Sequence, residues 1–435
     1  MRVNKKCGTT KQGESEMKKN VWILNHYSIG MFFSEGGRHY WMAKNLKNAG
    51  YSPVIFGCNI RHGQTKTAYF NSKELWHEHK DNVDNIPFVA IKSSYYTGNG
   101  FGRVKNMAFF ALNLYIAGKK YAQKKGKPDI IVASSVHPLT ILSGELLAKY
   151  FKVPCICEIR DLWPESIFAY DPSKRKKWYA NFLVKGEKYL YKNADSIVMT
   201  WAGGWQYIKD MGWEKEIPSQ KVVHISNGVD YDSFCNSVEA FPFVDADLSK
   251  NDSFNAVYTG SIRRVNKVDM LVKAAEILKD RDPQINILIW GSGDKSDEIA
   301  KEITKKELTN IVLKGRVEKK FIPSILTQAD CCLLHNESTE LDRYGSSQNK
   351  FFEYLSSGRP ILMTYSIGFS VIKEFSCGVD LEEQTAENIA DALVKIRHMS
   401  EMEKVEMGRR AVDTVCKKFD FKILTQKLID VIESL

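Results

Sequence analysis

The 435-residue chain is too long for one ordinary core and suits two α/β domains of roughly 200 residues each, which implies a cleft between them. With 43% hydrophobic and 26% charged residues it has the composition of a soluble globular protein, and no run approaches the ~18 consecutive apolar residues of a membrane span. The formal net charge of +10 gathers in first-half clusters, Lys119-Lys120, Lys124-Lys125 with Lys127, and Lys174-Arg175-Lys176-Lys177, which suit an anionic surface.

Residues 1–16 are polar and charged, lack the apolar core of a secretory signal, and are expected to form a disordered leader, with Met17 a candidate initiator. From there short apolar runs alternate with helical stripes. Val21–Leu24, Val54–Phe56, Phe88–Ile91, Ile130–Ala133, Cys155–Ile159 and Ser196–Met199 read as buried strands. His39–Asn48, Val104–Lys125, Leu139–Tyr150 and Trp178–Lys192 read as helices between them. This is the pattern of a doubly wound parallel sheet, assigned to residues 17–228. Within it, Trp178, Tyr179, Phe182 and Leu183 beside the third basic cluster suggest an interfacial helix, against the plain alternative of a solvated helix face.

Val222–Ile225 is a last short strand before Ser226-Asn227-Gly228-Val229-Asp230, and residues 229–253, polar and irregular, are taken as the linker. A second alternating series follows over 254–420. Its strands are Ala256–Thr259, Ile285–Trp290, Ile311–Leu313, Cys331–His335, Pro360–Met363 and Val379–Leu381. A final helix over 421–435 is expected to pack back on the first domain. The nine cysteines show no C-x-x-C pair and no histidine at metal spacing, so they read as reduced thiols, mostly small core hydrophobes, and no metal site is expected.

Candidate site residues fall at the carboxyl ends of strands, where open α/β sheets hold ligands. In the first half these are Gly37 in the turn Ser34-Glu35-Gly36-Gly37-Arg38, His137 in Ser134-Ser135-Val136-His137-Pro138, and Asp161 in the segment Glu158–Ser166. That segment's alternative role is an ion pair of Arg160 with Asp161 or Glu165. In the second half Arg263, Arg264 and Lys267 gather at a helix N-terminus, where cations oppose the helix dipole and an anionic ligand such as a diphosphate resolves the conflict. Trp290-Gly291-Ser292-Gly293 reads as a plain turn. Arg316 and Val317 follow a strand and suit a base. Asn349 and Lys350 open a helix whose free amides face a phosphate, with Glu353 one turn in and able to grip two ribose hydroxyls.

The motifs Glu158–Ser166, Ser226-Asn227-Gly228-Val229-Asp230 and Asn349-Lys350-Phe351-Phe352-Glu353-Tyr354 resemble retaining glycosyltransferase family four, most closely its bacterial O-antigen, capsule and exopolysaccharide branch. The resemblance covers nearly all of residues 20–435. It implies a GT-B fold: two Rossmann-like domains, the C-terminal one holding a nucleotide-sugar donor, with UDP the expected carrier, and the N-terminal one an acceptor. It also implies transfer with retention, without a metal or other cofactor, to a glycan acceptor that is usually lipid-linked. A cytoplasmic protein with peripheral contact to an anionic membrane surface follows, and no nucleic-acid partner. Lys267 matches the family's diphosphate lysine. The family's arginine six residues earlier is Ser261 here, which leaves that role to Arg263 or Arg264. Glu353 matches the second acid of the E-x7-E signature. The first acid's position is Gly345, for which Asn336, Glu337, Glu340 or Asp342 are candidate substitutes. The D-x-D patterns at Asp245–Asp247 and Asp280–Asp282 read as surface acids. A nucleotide-sugar epimerase of the same architecture, or a non-catalytic nucleotide-sugar-binding subunit, are the alternatives.

Overall fold

The computed structural model describes residues 19–34, 36–61, 74–80, 82–98, 100–135, 137–249 and 252–435, so residues 1–16, Met17 and Glu35 lie outside the described residues. The first sheet contains β1 (Asn20–Leu24), β2 (Ser52–Cys58), β3 (Trp76–His79), β4 (Phe88–Ile91), β5 (Ile130–Ser134), β6 (Cys155–Ile159), β7 (Ser196–Met199) and β8 (Val222–His224). They lie in the order β3-β4-β2-β1-β5-β6-β7-β8. All pairs are parallel except β3, which runs antiparallel to β4 along the edge. The central strands are continuous apolar runs because helices cover both faces. Trp22 and Leu24 of β1 enter one core, and Val21 and Ile23 enter the other. The polar Trp76-His77-Glu78-His79 strand carries no such signal in the sequence. Its residues are only half-buried at the sheet edge, so it lacks the apolar run that marks the others.

Short α1 (Ile29–Ser34) and α2 (Arg38–Asn48) cover one face; α3 (Phe101–Lys125), α4 (Pro138–Phe151), α6 (Ala180–Asn193) and α7 (Gly204–Asp210) cover the other, with α5 (Glu165–Tyr170) in the loop after β6. The basic cluster Lys174–Lys177 falls on a 3-10 turn and the loop before α6, not on a helix.

The second sheet repeats the design with β9 (Phe254–Thr259), β10 (Ile285–Trp290), β11 (Ile311–Gly315), β12 (Cys331–Leu334), β13 (Ile361–Met363) and β14 (Gly378–Asp380), all parallel in the order β11-β10-β9-β12-β13-β14. Its helices are α9 (Val268–Arg281), α10 (Ser296–Lys305), α11 (Ile322–Gln328), α12 (Asn349–Ser356), α13 (Val371–Phe375), α14 (Ala386–Arg397) and α15 (Glu401–Thr414).

Between the sheets, the segment read as irregular contains α8 (Tyr231–Ala240), capped where the Asp230 carboxylate accepts from Ser233 N and anchored by buried Phe234. Asp245 and Asp247 are not plain surface acids: both close on Lys314 Nζ at 2.6–2.9 Å, pinning this segment to β11. Asp282 is likewise buried and paired with Arg397 at 2.6 Å, whereas Asp280 is exposed. The chain crosses between the sheets at Gly228–Asp230 and returns at Phe419–Phe421, where Val229 N donates to Phe419 O at 3.1 Å and Phe421 N to Val229 O at 2.9 Å. A Cβ on Gly228 would stand 2.1 Å from Phe419 O, so only glycine allows the crossings to touch. Then α16 (Phe421–Glu433) lays Leu424, Leu428 and Ile432 into the first domain's core beside α2. Six of the eight described cysteines are buried, behaving as core side chains.

Candidate active site

In each sheet the chain order reverses beside the first strand, between β1 and β5 and between β9 and β12, and such switch points leave a crevice at the strands' carboxyl ends. The second crevice is assembled from loops that lock one another. Gly260 N donates to Trp290 O at 3.0 Å, Ile262 N to Ser292 O at 3.1 Å, and Gly291 N to Gly315 O at 2.8 Å. A Cβ on Gly291 would lie 1.7 Å from Gly260 O, and one on Gly293 2.0 Å from Ile262 O. The Gly-x-Gly read as a plain turn is therefore required by loop-on-loop packing, and it lines the site.

Lys267 ends a 3-10 turn and precedes α9 with φ +48°, a left-handed conformation that costs a non-glycine residue of order 1–3 kcal/mol. Buried His335 holds it there: its Nε2 donates to the Lys267 carbonyl at 2.9 Å, leaving Nδ1 to accept from Thr364 Oγ1 at 2.6 Å. Burial pushes His335 down to about 4, so it stays neutral and keeps this tautomer. Ser261 donates to Asn266 Oδ1 at 2.7 Å and braces the same turn. Asn266 in turn reaches Asn336 Oδ1 at 3.1 Å, and Glu337 N donates to Val265 O at 2.9 Å. Of the four candidate substitutes for the missing acid, Asn336 and Glu337 are therefore the pair placed beside this turn. Asp342 instead caps the turn from Thr339, and Gly345 has φ +96°, a backbone that disfavours a carboxylate side chain.

A cavity of 1110 Å³ opens in front of these loops, its wall formed by Gly260, Arg263, Arg316, Val317, Lys350 and Glu353. Arg264 and Lys267 are not in this wall, although Lys267 adjoins it through the braced turn. Arg61, from the first domain, also reaches it, and no sequence signal singles that residue out. Asn349 and Lys350 begin α12, whose cap residue Gln348 makes no side-chain cap bond and turns instead to Tyr365. The first-turn amides are thus without a capping side chain, the arrangement that receives anions. Tyr354 fixes the helix from below, donating to Thr259 O at 3.2 Å and accepting from Thr259 N at 2.9 Å. Half-buried Lys350 donates to His335 O at 3.0 Å and sits 4.3 Å from the Tyr258 ring centre; desolvation lowers it to about 7, and an anionic partner would favour its charged form. Glu353 is largely covered and pairs with exposed Lys319 at 3.4 Å, a weak contact that a ribose can replace.

The first crevice is closed and polar. His26 Nδ1 lies 2.5 Å from His137 Nε2. Both rings are buried, and His137 is pushed down to about 3 by burial and by the Arg103 charge. His137 is therefore neutral, and its Nδ1 has no hydrogen-bond partner. Beneath it, Glu158 accepts from Arg38 Nε and His39 Nε2, each at 2.6 Å. Burial alone would raise Glu158, but Arg38 and His39 overcome it and hold the carboxylate well below its ordinary value. Arg38 also donates to the Ile225 and Ser226 carbonyls at the crossing. The alternative pairing of Arg160 with Glu165 does not form: Glu165 pairs with Arg175, while the Arg160 backbone is held by Ser135 Oγ and Trp201 Nε1. Asp161 is exposed, with the Arg160 and Arg103 charges near its carboxylate. Gly37, with φ +102°, lines a second cavity of 520 Å³ whose opposite wall holds Asn349 and Glu353, so the two domains meet over α12.

Residues 253–398, the domain carrying the large cavity, match the model of a family described as glycosyl transferases group 1. Anabaena Alr3699/HepE in complex with UDP superposes on 96% of this chain and 100% of its own, with a TM-score of 0.66 at 12% identity. The glycosyltransferase from Rickettsia africae ESF-5 does so over 96% and 98%, with a TM-score of 0.64 at 18% identity. The E. coli trehalose-6-phosphate structure bound with UDP-2-fluoro glucose covers 96% and 99%, with a TM-score of 0.69 at 11% identity. The fold is GT-B. In sequence, a poly(ribitol-phosphate) alpha-N-acetylglucosaminyltransferase of Staphylococcus aureus (strain COL) is 22% identical over 172 residues, which are 39% of this chain and 33% of that enzyme. The match thus spans about a third of that relative's length. No described helix is long and apolar enough to cross a membrane.

Proposed function

We propose that the chain is a retaining glycosyltransferase that moves a sugar from a UDP-sugar to a lipid-linked glycan acceptor in cell-surface polysaccharide synthesis, working at an anionic membrane surface. The observation that carries this reading is the second crevice, where Arg263, Lys350 and the uncapped start of α12 surround a cavity with Glu353 at its edge. The HepE complexes, which hold UDP and UDP-glucose on the same fold, support the nucleotide.

In this reading Glu353 grips the ribose, Arg316 and Val317 face the base, and Arg263, Lys350 and the α12 amides take the diphosphate, with Lys267 adding its charge from the adjoining turn. The leaving diphosphate gains negative charge as the sugar bond breaks. Fixed cations and amides stabilise that charge without reorganising, which can be the largest single catalytic contribution. They also take the role that a metal ion fills in other transferases. The exposed Asp161 carboxylate lies on the acceptor side, where it accepts hydrogen bonds from acceptor hydroxyls, and buried, neutral His137 frames that side.

UDP-glucose and UDP-N-acetylglucosamine, each incubated with a bacterial lipid extract and excess EDTA, provide the test. Acceptor-dependent UDP release with an α-linked lipid product is expected. Interconversion of the nucleotide sugar without any acceptor would overturn the reading in favour of an epimerase.

A further inference from the structure

Helices α3, α4 and α6 lie side by side over one face of the first sheet, and their outward faces should be polar if they met only water. They are not. On α3 the exposed stripe holds Val104, Phe109, Leu112 and Ile116, with Leu112 60% accessible. Beside it α4 exposes Leu142, Leu146 and Tyr150. The two stripes are continuous, because Lys119 of α3 places its ammonium 4.0 Å from the Tyr150 ring centre. The third helix adds Phe182, 72% accessible, with Trp178 just before it at 88%. Scattered exposed apolar residues are ordinary, but a continuous layer of this size marks a contact surface.

The charge on this layer is one-sided. The three helices carry ten lysines and arginines, six of them on α3, and their acids are Glu145 and Glu187 alone. Neither acid counters the cations at the surface. Glu187 is buried under Tyr207, and Glu145 is partly covered against Cys157, both carboxyls being pushed up to about 8 by burial. Glu78 and Glu216 of neighbouring segments pair with Lys125 and Lys188, yet cations stay in excess over the layer. Apolar side chains ringed by such an excess fit an anionic bilayer: the apolar groups enter the headgroup boundary while long lysines reach outward to phosphates. A second copy of the chain would bring cations against cations.

We propose that the outer face of α3, α4 and α6 is a membrane-docking surface for anionic phospholipid, wider than the Lys174–Lys177 cluster and centred on Leu112 and Leu146. It deepens the membrane contact proposed above and rests on that reading for its purpose. The placement also suits it: α3 begins beside Arg103 and α4 directly after His137, so both helices run from the acceptor side of the cleft along the proposed lipid face.

The test is vesicle cosedimentation of the full chain with phosphatidylglycerol–phosphatidylcholine vesicles, comparing wild type, Leu112→Glu/Leu146→Glu and Lys105→Glu/Lys120→Glu. Each lysine near an anionic surface strengthens binding about fivefold. Each double variant is therefore expected to lower the partition coefficient at least tenfold, while pure phosphatidylcholine captures little of any protein. The substituted side chains are exposed, and an unchanged UDP-induced thermal shift certifies the fold. Equal pelleting of wild type and both variants overturns the proposal. So does light scattering that finds a wild-type dimer split by Leu112→Glu/Leu146→Glu, which assigns the face to a second copy. Sugar transfer to a detergent-solubilised acceptor without vesicle binding refutes the surface alone, and vesicle binding without transfer refutes the enzyme reading alone.

Discussion

The two switch points are made of the same parts, adjacent parallel strands with a buried histidine in the following loop, and they are finished in opposite ways. At His26 and His137 the polar groups bind one another, over a Glu158 carboxylate already held by Arg38 and His39. At His335 the histidine turns inward to hold the Lys267 carbonyl, and cations stand around a 1110 Å³ opening. The fold decides where a crevice forms, and the side chains decide whether it is a frame or a receptacle. The comparison assigns stability to the first crevice and anion binding to the second.

That division can be broken most forcefully at Glu158. Glu158→Ala leaves Arg38 buried without its partner and is expected to cost about 3–5 kcal/mol in urea unfolding, with little change in UDP affinity of the folded fraction. The pH dependence has a definite sign. Because the folded Glu158 lies well below its ordinary 4.5, its contribution is present above that value and fades as pH falls through the lower folded one. Glu158→Gln should flatten acid unfolding in that window; an unchanged acid profile would mean that the pair is not a stabilising element.

Glu353→Ala should do the reverse, leaving the unfolding midpoint in place and weakening UDP by the ~1.5–3 kcal/mol of a hydrogen bond to a charged group, roughly 10- to 150-fold by calorimetry. A smaller effect concerns Lys350, depressed to about 7. A bound diphosphate favours its charged form, so binding takes up a proton, and UDP affinity should drop more than tenfold between pH 7 and 9. Lys350→Met should bind more weakly with a flat profile. The smallest expected effect is the contrast between neighbours: Arg263→Ala, in the cavity wall, weakens UDP about tenfold at ~1.4 kcal/mol, and Arg264→Ala changes it less than twofold.

The parallel strands are legible in the sequence because burial on both faces demands unbroken apolar runs, as in Val21–Leu24 and Phe88–Ile91. Edge strand β3 and helix α8 are not, since the first is half-buried and the second depends on one cap and one buried phenylalanine. At the site, the cations near α9 and Glu353 in α12 stand out locally. The division between Arg263 and Arg264, the reach of Arg61 and the His26–His137 contact arise only when distant loops meet. The Gly-x-Gly at 291–293 looks ordinary because its reason, the Gly260–Ile262 backbone, lies some thirty residues away in sequence.

The most direct test of the donor-site assignment is isothermal titration of UDP in EDTA into wild type, Glu353→Ala and Lys350→Met. Saturable binding by wild type that falls at least tenfold in both variants, each with wild-type stability, is the predicted result. Equal UDP affinity in all three proteins would contradict it and place the nucleotide elsewhere.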